Sequence, residues 1–176
     1  MKKLIMGSLL LLLLLTMTGC RSGENGEVYV YSYGDYYDPE VVADFEADTG
    51  IRVIQDTYDT AEEMYPIIKN GSANYDVVCT SDYMISKMKG ENLLQKLDKK
   101  NIRNIKNLDE DYMRKAEEYD PGNEYSVPYL VGVSGILYNK KMVKGKNIDS
   151  WNALWDPDFK NNIVMQDSVR DAFAIS

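Results

Sequence analysis

The chain has 176 residues, 44% of them hydrophobic and 27% charged, which is the composition of a folded globular protein. It is too apolar to be disordered and too charged to cross a membrane many times. With 28 acidic and 20 basic residues its formal net charge is −8, which disfavours nucleic acid and favours cations as partners, although the same charge also serves solubility. The sequence has no histidine, so the commonest general base and transition-metal ligand are missing and catalysis is harder to support.

The N-terminus has the pattern of a bacterial secretion signal. A basic start precedes an apolar stretch, Leu4 to Met17, that is shorter than the roughly 20 residues a spanning helix needs. Small residues before Cys20 resemble the lipobox at which a cysteine is acylated; ordinary cleavage and an uncleaved anchor are the alternatives. We therefore expect a signal peptide over 1–19, lipidation of Cys20, a polar tether over 20–27, and a protein anchored to the cell membrane on its extracytoplasmic side.

Strand and helix patterns alternate through the first half of the chain. Three predicted strands are each followed by a helix, and the helices begin at Asp38, Thr60 and Asp82. Thr60 opens a capping box with Glu63. The apolar residues expected on one face of each helix are Val41, Val42 and Phe45, then Met64, Ile67 and Ile68, then Met84, Ile85 and Met88. The strands are Val28–Ser32, Ile51–Gln55 and Tyr75–Cys79. This order predicts an α/β fold with a parallel sheet covered by helices. Cys79, in the apolar run YDVVC, is expected to be a buried and inert thiol.

The second half is less regular. Short helices and loops are expected over 92–124, and the apolar stretch Tyr125–Asn139 reads as a strand that could run between two lobes. Ser150 opens a short helix packed by its tryptophans, Ile163–Gln166 reads as a strand, and a further helix is expected from Ser168.

Ligands of open parallel sheets bind beside the carboxyl ends of the strands, which directs attention to two loops. Tyr33 and Tyr36 follow the first strand and are expected to contact a ligand, whereas Tyr29 and Tyr31 lie within the strand and are expected to pack. The second loop, after the third strand, contains Ser81, which is also a candidate helix N-cap.

Several stretches taken in order resemble the spermidine/putrescine-binding proteins of polyamine ABC transporters, among them YSYGDYYDPEVVADF, TYDTAEEMY, CTSDY, YSVPYLVGVSGILYN, SWNALWDPDFK and MQDSVRDAF. The resemblance implies a two-lobed clamshell of the periplasmic-binding-protein type II class. It places lobe 1 over 28–130, a hinge crossing over 131–137 and the start of lobe 2 over 138–176. Relatives are longer, so it also implies that the chain is truncated, and a truncated chain is expected to bind ligand weakly or not at all.

The resemblance further implies which residues contact the ligand. They are Tyr33, Gly34, Asp35, Tyr36, Ser81, Tyr83, Ser168 and Asp171. Asp35 could instead only hold its turn, and Asp171 is favourable in a first helical turn without a partner. Ser168 stands where the family pattern has Asp, which leaves open which polyamine is preferred.

The function implied is a lipoprotein receptor that captures putrescine or spermidine and delivers it to the permease and ATPase subunits of an ABC transporter. A monomer without a cofactor or metal and without nucleic acid is expected. Three alternatives remain open on the residues alone: a clamshell for ferric iron or a sugar, an extracytoplasmic hydrolase using two carboxylates, and a nonfunctional product of a broken gene.

Overall fold

The computed structural model describes residues 25–175. The predicted signal peptide and Cys20 therefore lie outside the described residues. The chain divides into two compact units, Met1–Lys96 and Leu97–Ser176. The lobe and hinge boundaries implied by the family resemblance stay a prediction. Among residues 25–175 no helix is both long and apolar enough to cross a bilayer.

The first unit contains a three-stranded parallel sheet. Its strands are β1 (Glu27–Tyr33), β2 (Arg52–Tyr58) and β3 (Val77–Val78), in the order β2-β1-β3. In the register of β1 with β2, Tyr33 lies opposite Tyr58. Because both neighbours run parallel to β1, all three carboxyl ends meet at one edge of the sheet. The parallel α/β arrangement predicted from the element order is confirmed.

Three helices follow the three strands, namely α1 (Pro39–Thr49), α2 (Ala61–Lys69) and α3 (Asp82–Gly90). Local sequence accounts for their ends. The Asp38 side chain accepts the Glu40 N–H at 2.9 Å, and Gly50 ends α1 in the left-handed conformation at φ 68°. Thr60 and Glu63 form the predicted capping box at the start of α2.

The core of the first unit lies where α2 and α3 pack on the sheet. Met64, Met84 and Met88 have exposed fractions of 0%, 3% and 0%, and they pack with Tyr31 and Tyr58. Burial of these residues supplies the main stabilising free energy of the unit. The apolar faces predicted for α2 and α3 are thus confirmed.

Helix α1 does not follow that pattern. It buries none of its residues, and Val41 and Phe45 are 63% and 42% exposed. The prediction that these two side chains lie on one helical face is compatible with the helix, although both side chains remain exposed. Amphipathic spacing predicts which side of a helix is apolar, but it does not predict which element packs against that side.

The second unit is built from short helices and irregular chain. It contains α4 (Glu110–Ala116), α5 (Val169–Ala174) and 3₁₀ turns at Arg103–Asn107, Pro121–Asn123, Trp151–Trp155 and Pro157–Phe159. The short helices and loops expected over 92–124 are confirmed. Trp151 and Trp155 are 38% and 62% exposed, so the prediction that they pack is wrong.

The two strands predicted in the second half are also wrong. Across 97–175 no residue belongs to a strand, and Val133 and Leu137 in the stretch 125–139 are 94% and 100% exposed. A strand is stable only when a neighbour pairs with its N–H and C=O groups, and apolar composition cannot reveal whether one is present. The same reason applies to Ile163–Gln166.

Candidate functional site: a tyrosine and serine cluster at the sheet edge

Tyr33 is the last residue of β1 and Ser81 follows β3, so both stand at the carboxyl edge of the sheet. The Tyr33 Oη and the Ser81 Oγ are 2.9 Å apart and share a hydrogen bond across 48 positions of sequence. Ser81 occupies the N-cap position of α3, yet among the described residues its hydroxyl engages Tyr33 and makes no cap bond. The structure therefore brings together two residues that the sequence placed in separate loops.

Aromatic rings surround Tyr33 on two sides. Its ring centroid lies 5.1 Å from that of Tyr36 and 4.5 Å from that of Tyr58. Tyr58 is buried, and its hydroxyl donates to the Cys79 carbonyl, which anchors it to the end of β3. Tyr36 is 38% exposed, so the cluster is buried at its base and open to solvent at Tyr36.

The turn after β1 explains how Tyr36 returns to Tyr33. Asp35 has φ 57°, a left-handed conformation that Asp tolerates better than most residues. Asp35 and Gly34 are both exposed. A Cβ added at Gly34 would meet no described atom within 4 Å, so glycine is not sterically required there. Asp35 adopts the left-handed conformation of this turn, and its contact with a ligand amine stays a prediction.

Tyr83 belongs to the first turn of α3 and joins the cluster through Ser81. Its hydroxyl donates to Glu62 Oε1 at 2.9 Å. Burial is the largest cause that raises the pKa of Tyr83 to about 12; the Glu62 carboxylate raises it too, and a hydrogen bond from Ser81 opposes them. Tyr83 is therefore a neutral phenol at physiological pH.

Two residues of this neighbourhood were missed by sequence reasoning. Glu62, in the first turn of α2, is the carboxylate that Tyr83 contacts, and Tyr58 forms the buried base of the cluster. The TAEE pattern predicted a capping box at the start of α2. No local pattern shows that this helix start lies beside the loop after β3. Tyr58 ends β2 opposite Tyr33, whereas the predicted strand ended at Gln55, so the sequence prediction did not identify Tyr58 as a neighbour of Tyr33.

Ser168 and Asp171 lie in the second unit, at the start of α5. The Ser168 hydroxyl accepts the Asp171 N–H at 3.4 Å, and the Asp171 side chain is exposed. Ser168 thus acts as the helix N-cap. That the two residues share a ligand with the tyrosine cluster stays a prediction.

The two tyrosines within β1, Tyr29 and Tyr31, differ in their burial. Tyr31 is 5% exposed and stacks on Tyr75, so its predicted packing is confirmed. Tyr29 is 39% exposed and donates to Glu27, so its predicted packing is wrong.

Burial raises the pKa of the half-buried Cys79 thiol, as expected for an unreactive cysteine, while a hydrogen bond with Tyr37 acts in the opposite direction.

The fold and the family matches agree on the class of protein. Residues 72–175, more than half of the chain, match the bacterial extracellular solute-binding protein family. The chain belongs to this family. Within residues 25–175 no group of three His, Cys, Asp or Glu side chains is arranged to hold a metal ion.

Among members of this class, the chain is similar to polyamine-binding proteins. It is 36% identical over 165 residues to the spermidine/putrescine-binding periplasmic protein of Escherichia coli, which covers 93% of this chain and 47% of that protein. It is 38% identical over 157 residues to the putrescine-binding periplasmic protein SpuD of Pseudomonas aeruginosa, covering 84% of this chain and 43% of that protein. The chain spans about half the length of the curated relatives it matches.

Solved structures show the same relationship. The TpPotD lipoprotein of Treponema pallidum superposes with a TM-score of 0.78 at 31% identity, covering 85% of this chain and 46% of that one. The spermidine/putrescine ABC transporter substrate-binding protein PotD of Streptococcus pneumoniae gives a TM-score of 0.64 at 41% identity, covering 76% and 40%. These matches confirm the family resemblance and the α/β, periplasmic-binding-protein-like fold class.

Proposed function

We propose that this protein is an extracytoplasmic receptor that binds putrescine or spermidine and delivers it to an ABC permease. The observation that carries the proposal is the cluster of Tyr33, Ser81 and Tyr83 hydroxyls at the carboxyl edge of the sheet. Its position is the one at which parallel sheets bind ligands. The names of the similar proteins supply the ligand class.

The chemistry of the cluster suits a polyamine. Such a ligand presents ammonium groups, which only donate hydrogen bonds, joined by methylene segments. Tyrosine rings contact the methylenes and attract the cations with about 0.5 to 2 kcal/mol per cation-π contact. Hydroxyl oxygens of Tyr33, Ser81 and Tyr83 are available to accept from ammonium groups.

The family resemblance implies further ligand contacts from two residues at the start of α5. In this proposal Asp171 pairs with one ammonium group, and the Ser168 hydroxyl accepts from the ligand without the charge assistance that an Asp would give. Closure of two lobes on the ligand by a hinge motion is a widespread switching mode. The ligand leaves the receptor chemically unchanged, so no enzyme activity is proposed.

The proposed location is the outer face of the cell membrane, with Cys20 as the lipid-bearing residue. The secretion pattern of the N-terminus supports it, and a similar solved protein from Treponema pallidum is a lipoprotein. The permease and ATPase partners follow from the ABC transporter named with the Streptococcus pneumoniae protein. The receptor is proposed to act as a monomer.

The test is a ligand titration of the chain from Cys20 onward, followed by tyrosine NMR signals and calorimetry. We expect putrescine and spermidine to move the Tyr33, Tyr36 and Tyr83 signals, with weak affinity because the cluster is open to solvent at Tyr36. Ferric citrate and a disaccharide are the comparison ligands. A response to either of these, with none to the polyamines, would contradict the proposal.

A further inference from the structure

The hydroxyl groups of the cluster form a continuous chain that ends on a carboxylate. Tyr33 Oη lies 2.9 Å from Ser81 Oγ, Ser81 hydrogen-bonds the Tyr83 phenol, and Tyr83 donates to Glu62 Oε1 at 2.9 Å. Four side chains from four different elements or loops are thus linked. Glu62 is the terminal acceptor of this chain.

The direction of the hydrogen bond between Tyr83 and Glu62 follows from the protons and lone pairs of the two groups. A hydroxyl has one proton to donate and two lone pairs to accept with. Tyr83 gives its proton to Glu62, because an ionised carboxylate can only accept. Between Tyr33 and Ser81 either hydroxyl can be the donor, so the direction is fixed only where Tyr83 meets the carboxylate.

We infer that Glu62 is a positioning residue that holds the proton of the Tyr83 phenol, leaving the phenol oxygen as an acceptor for a protonated amine. A phenol whose proton is held in this way favours a ligand that only donates. It disfavours ligands of similar length that bring their own acceptors. The inference rests on the proposed function and extends it to the residue that sets selectivity for amines.

The position of Glu62 suits this task. It stands in the first turn of α2, and the capping box between Thr60 and Glu63 fixes that turn. Glu62 and Glu63 are both exposed carboxylates of the same helical turn, but Tyr83 contacts Glu62. The substitution Glu63→Gln is therefore a matched control, since it removes the same charge and glutamine also serves in a capping box.

The first experiment needs no ligand. The chain is labelled with fluorotyrosine, whose phenol ionises at lower pH than that of tyrosine, and the Tyr83 fluorine signal is titrated in wild type, Glu62→Gln and Glu63→Gln. We expect Glu62→Gln to lower the pKa of this phenol and Glu63→Gln to leave it near the wild-type value. An unchanged pKa in Glu62→Gln would overturn the inference whatever the ligand is.

The second experiment compares ligands of equal length, namely 1,4-butanediamine, 1,4-butanediol and succinate. Glu62→Gln is expected to weaken diamine binding about tenfold and to raise the affinity for the diol relative to the diamine. The reason is that an amide can turn either its C=O or its NH₂ toward the phenol and no longer fixes the direction of the Tyr83 proton. Glu63→Gln should keep the wild-type ranking of the three ligands by affinity. Its affinity for the diamine should stay within about twofold of the wild-type value.

A double-mutant cycle separates positioning from simple charge attraction. If Glu62 acts through Tyr83, adding Glu62→Gln to Tyr83→Phe should cost far less than Glu62→Gln alone. Additive losses would overturn the inference and identify a direct charge effect. If the wild-type protein binds no amine at all, the proposed function fails. The fluorine titration still tests whether Glu62 holds the proton of the Tyr83 phenol.

Discussion

At the scale of single residues, buried polar groups determine where the irregular chain of the second unit goes. Asp120 is 0% exposed, and its Oδ2 accepts from the Tyr125 N–H, the Ser126 N–H and the Ser126 hydroxyl, each at 2.9 Å. One carboxylate therefore organises the chain just before the apolar stretch 125–139. A buried acidic side chain is tolerated here because three donors meet one of its oxygens.

We predict that Asp120→Asn destabilises the protein by about 1.5 to 3 kcal/mol, because an amide has one acceptor oxygen and brings an NH₂ group into a site built of donors. Urea unfolding with unchanged m-value would measure the loss. Asp111→Asn is the control, since the Asp111 side chain is 67% exposed and pairs with Arg114 on the surface. Equal effects of the two substitutions would contradict the special role of Asp120.

At the scale of secondary-structure elements, α2 and α3 are joined by a polar cluster around Glu91. This carboxylate, just after α3, accepts from the Tyr65 hydroxyl at 2.5 Å and from the Lys69 and Lys87 ammonium groups at 2.9 Å each. Lys87 also lies 4.4 Å from the centroid of the Tyr65 ring. Hydrogen bonds, first from Tyr65 and then from the lysines, lower the pKa of Glu91 to about 2.

This shift has a definite sign for stability. Because the folded pKa lies below the unfolded value, the stabilising contribution is complete above about pH 4.5 and is lost as the pH falls toward 2. We predict that Glu91→Gln lowers the melting temperature at neutral pH and that the difference from wild type disappears near pH 2. Thermal unfolding followed by circular dichroism at several pH values would measure it. A difference that stays constant with pH would contradict the role of this carboxylate.

The elements also show which structural features could be predicted from the sequence and which could not. Strand β1, the caps of α1 and α2 and the buried methionines Met64, Met84 and Met88 were predicted, because each depends on a local pattern and a regular period. The strands expected over 125–139 and 163–166 were wrong, because pairing depends on a distant neighbour. Tyr33 and Ser81 were predicted as site residues from their places at the ends of strands. Glu62 and Tyr58 were missed, because only the packing of α2 and β2 brings them to this cluster.

At the scale of the whole molecule, the formal net charge of −8 is expected to act on any cationic ligand. We predict that spermidine affinity falls several-fold between about 0.02 M and about 0.2 M NaCl, and that the smaller charge of putrescine gives a shallower slope. Calorimetry at a series of salt concentrations would measure both slopes. Equal slopes for the two amines would show that contacts at the cluster, rather than the field of the protein, dominate.

The sequence by itself determined the order of strands and helices in the first unit, the ends of its helices, the acidic charge and the family, because these depend on composition, period and motif. Only the tertiary structure decided that Tyr33 and Ser81 share a hydrogen bond across 48 positions and that Tyr83 meets Glu62. It also decided that the stretch 125–139 forms no strand. The physical reason is common to all three: a hydrogen bond or a ladder needs a partner, and the partner's position is set by how elements pack.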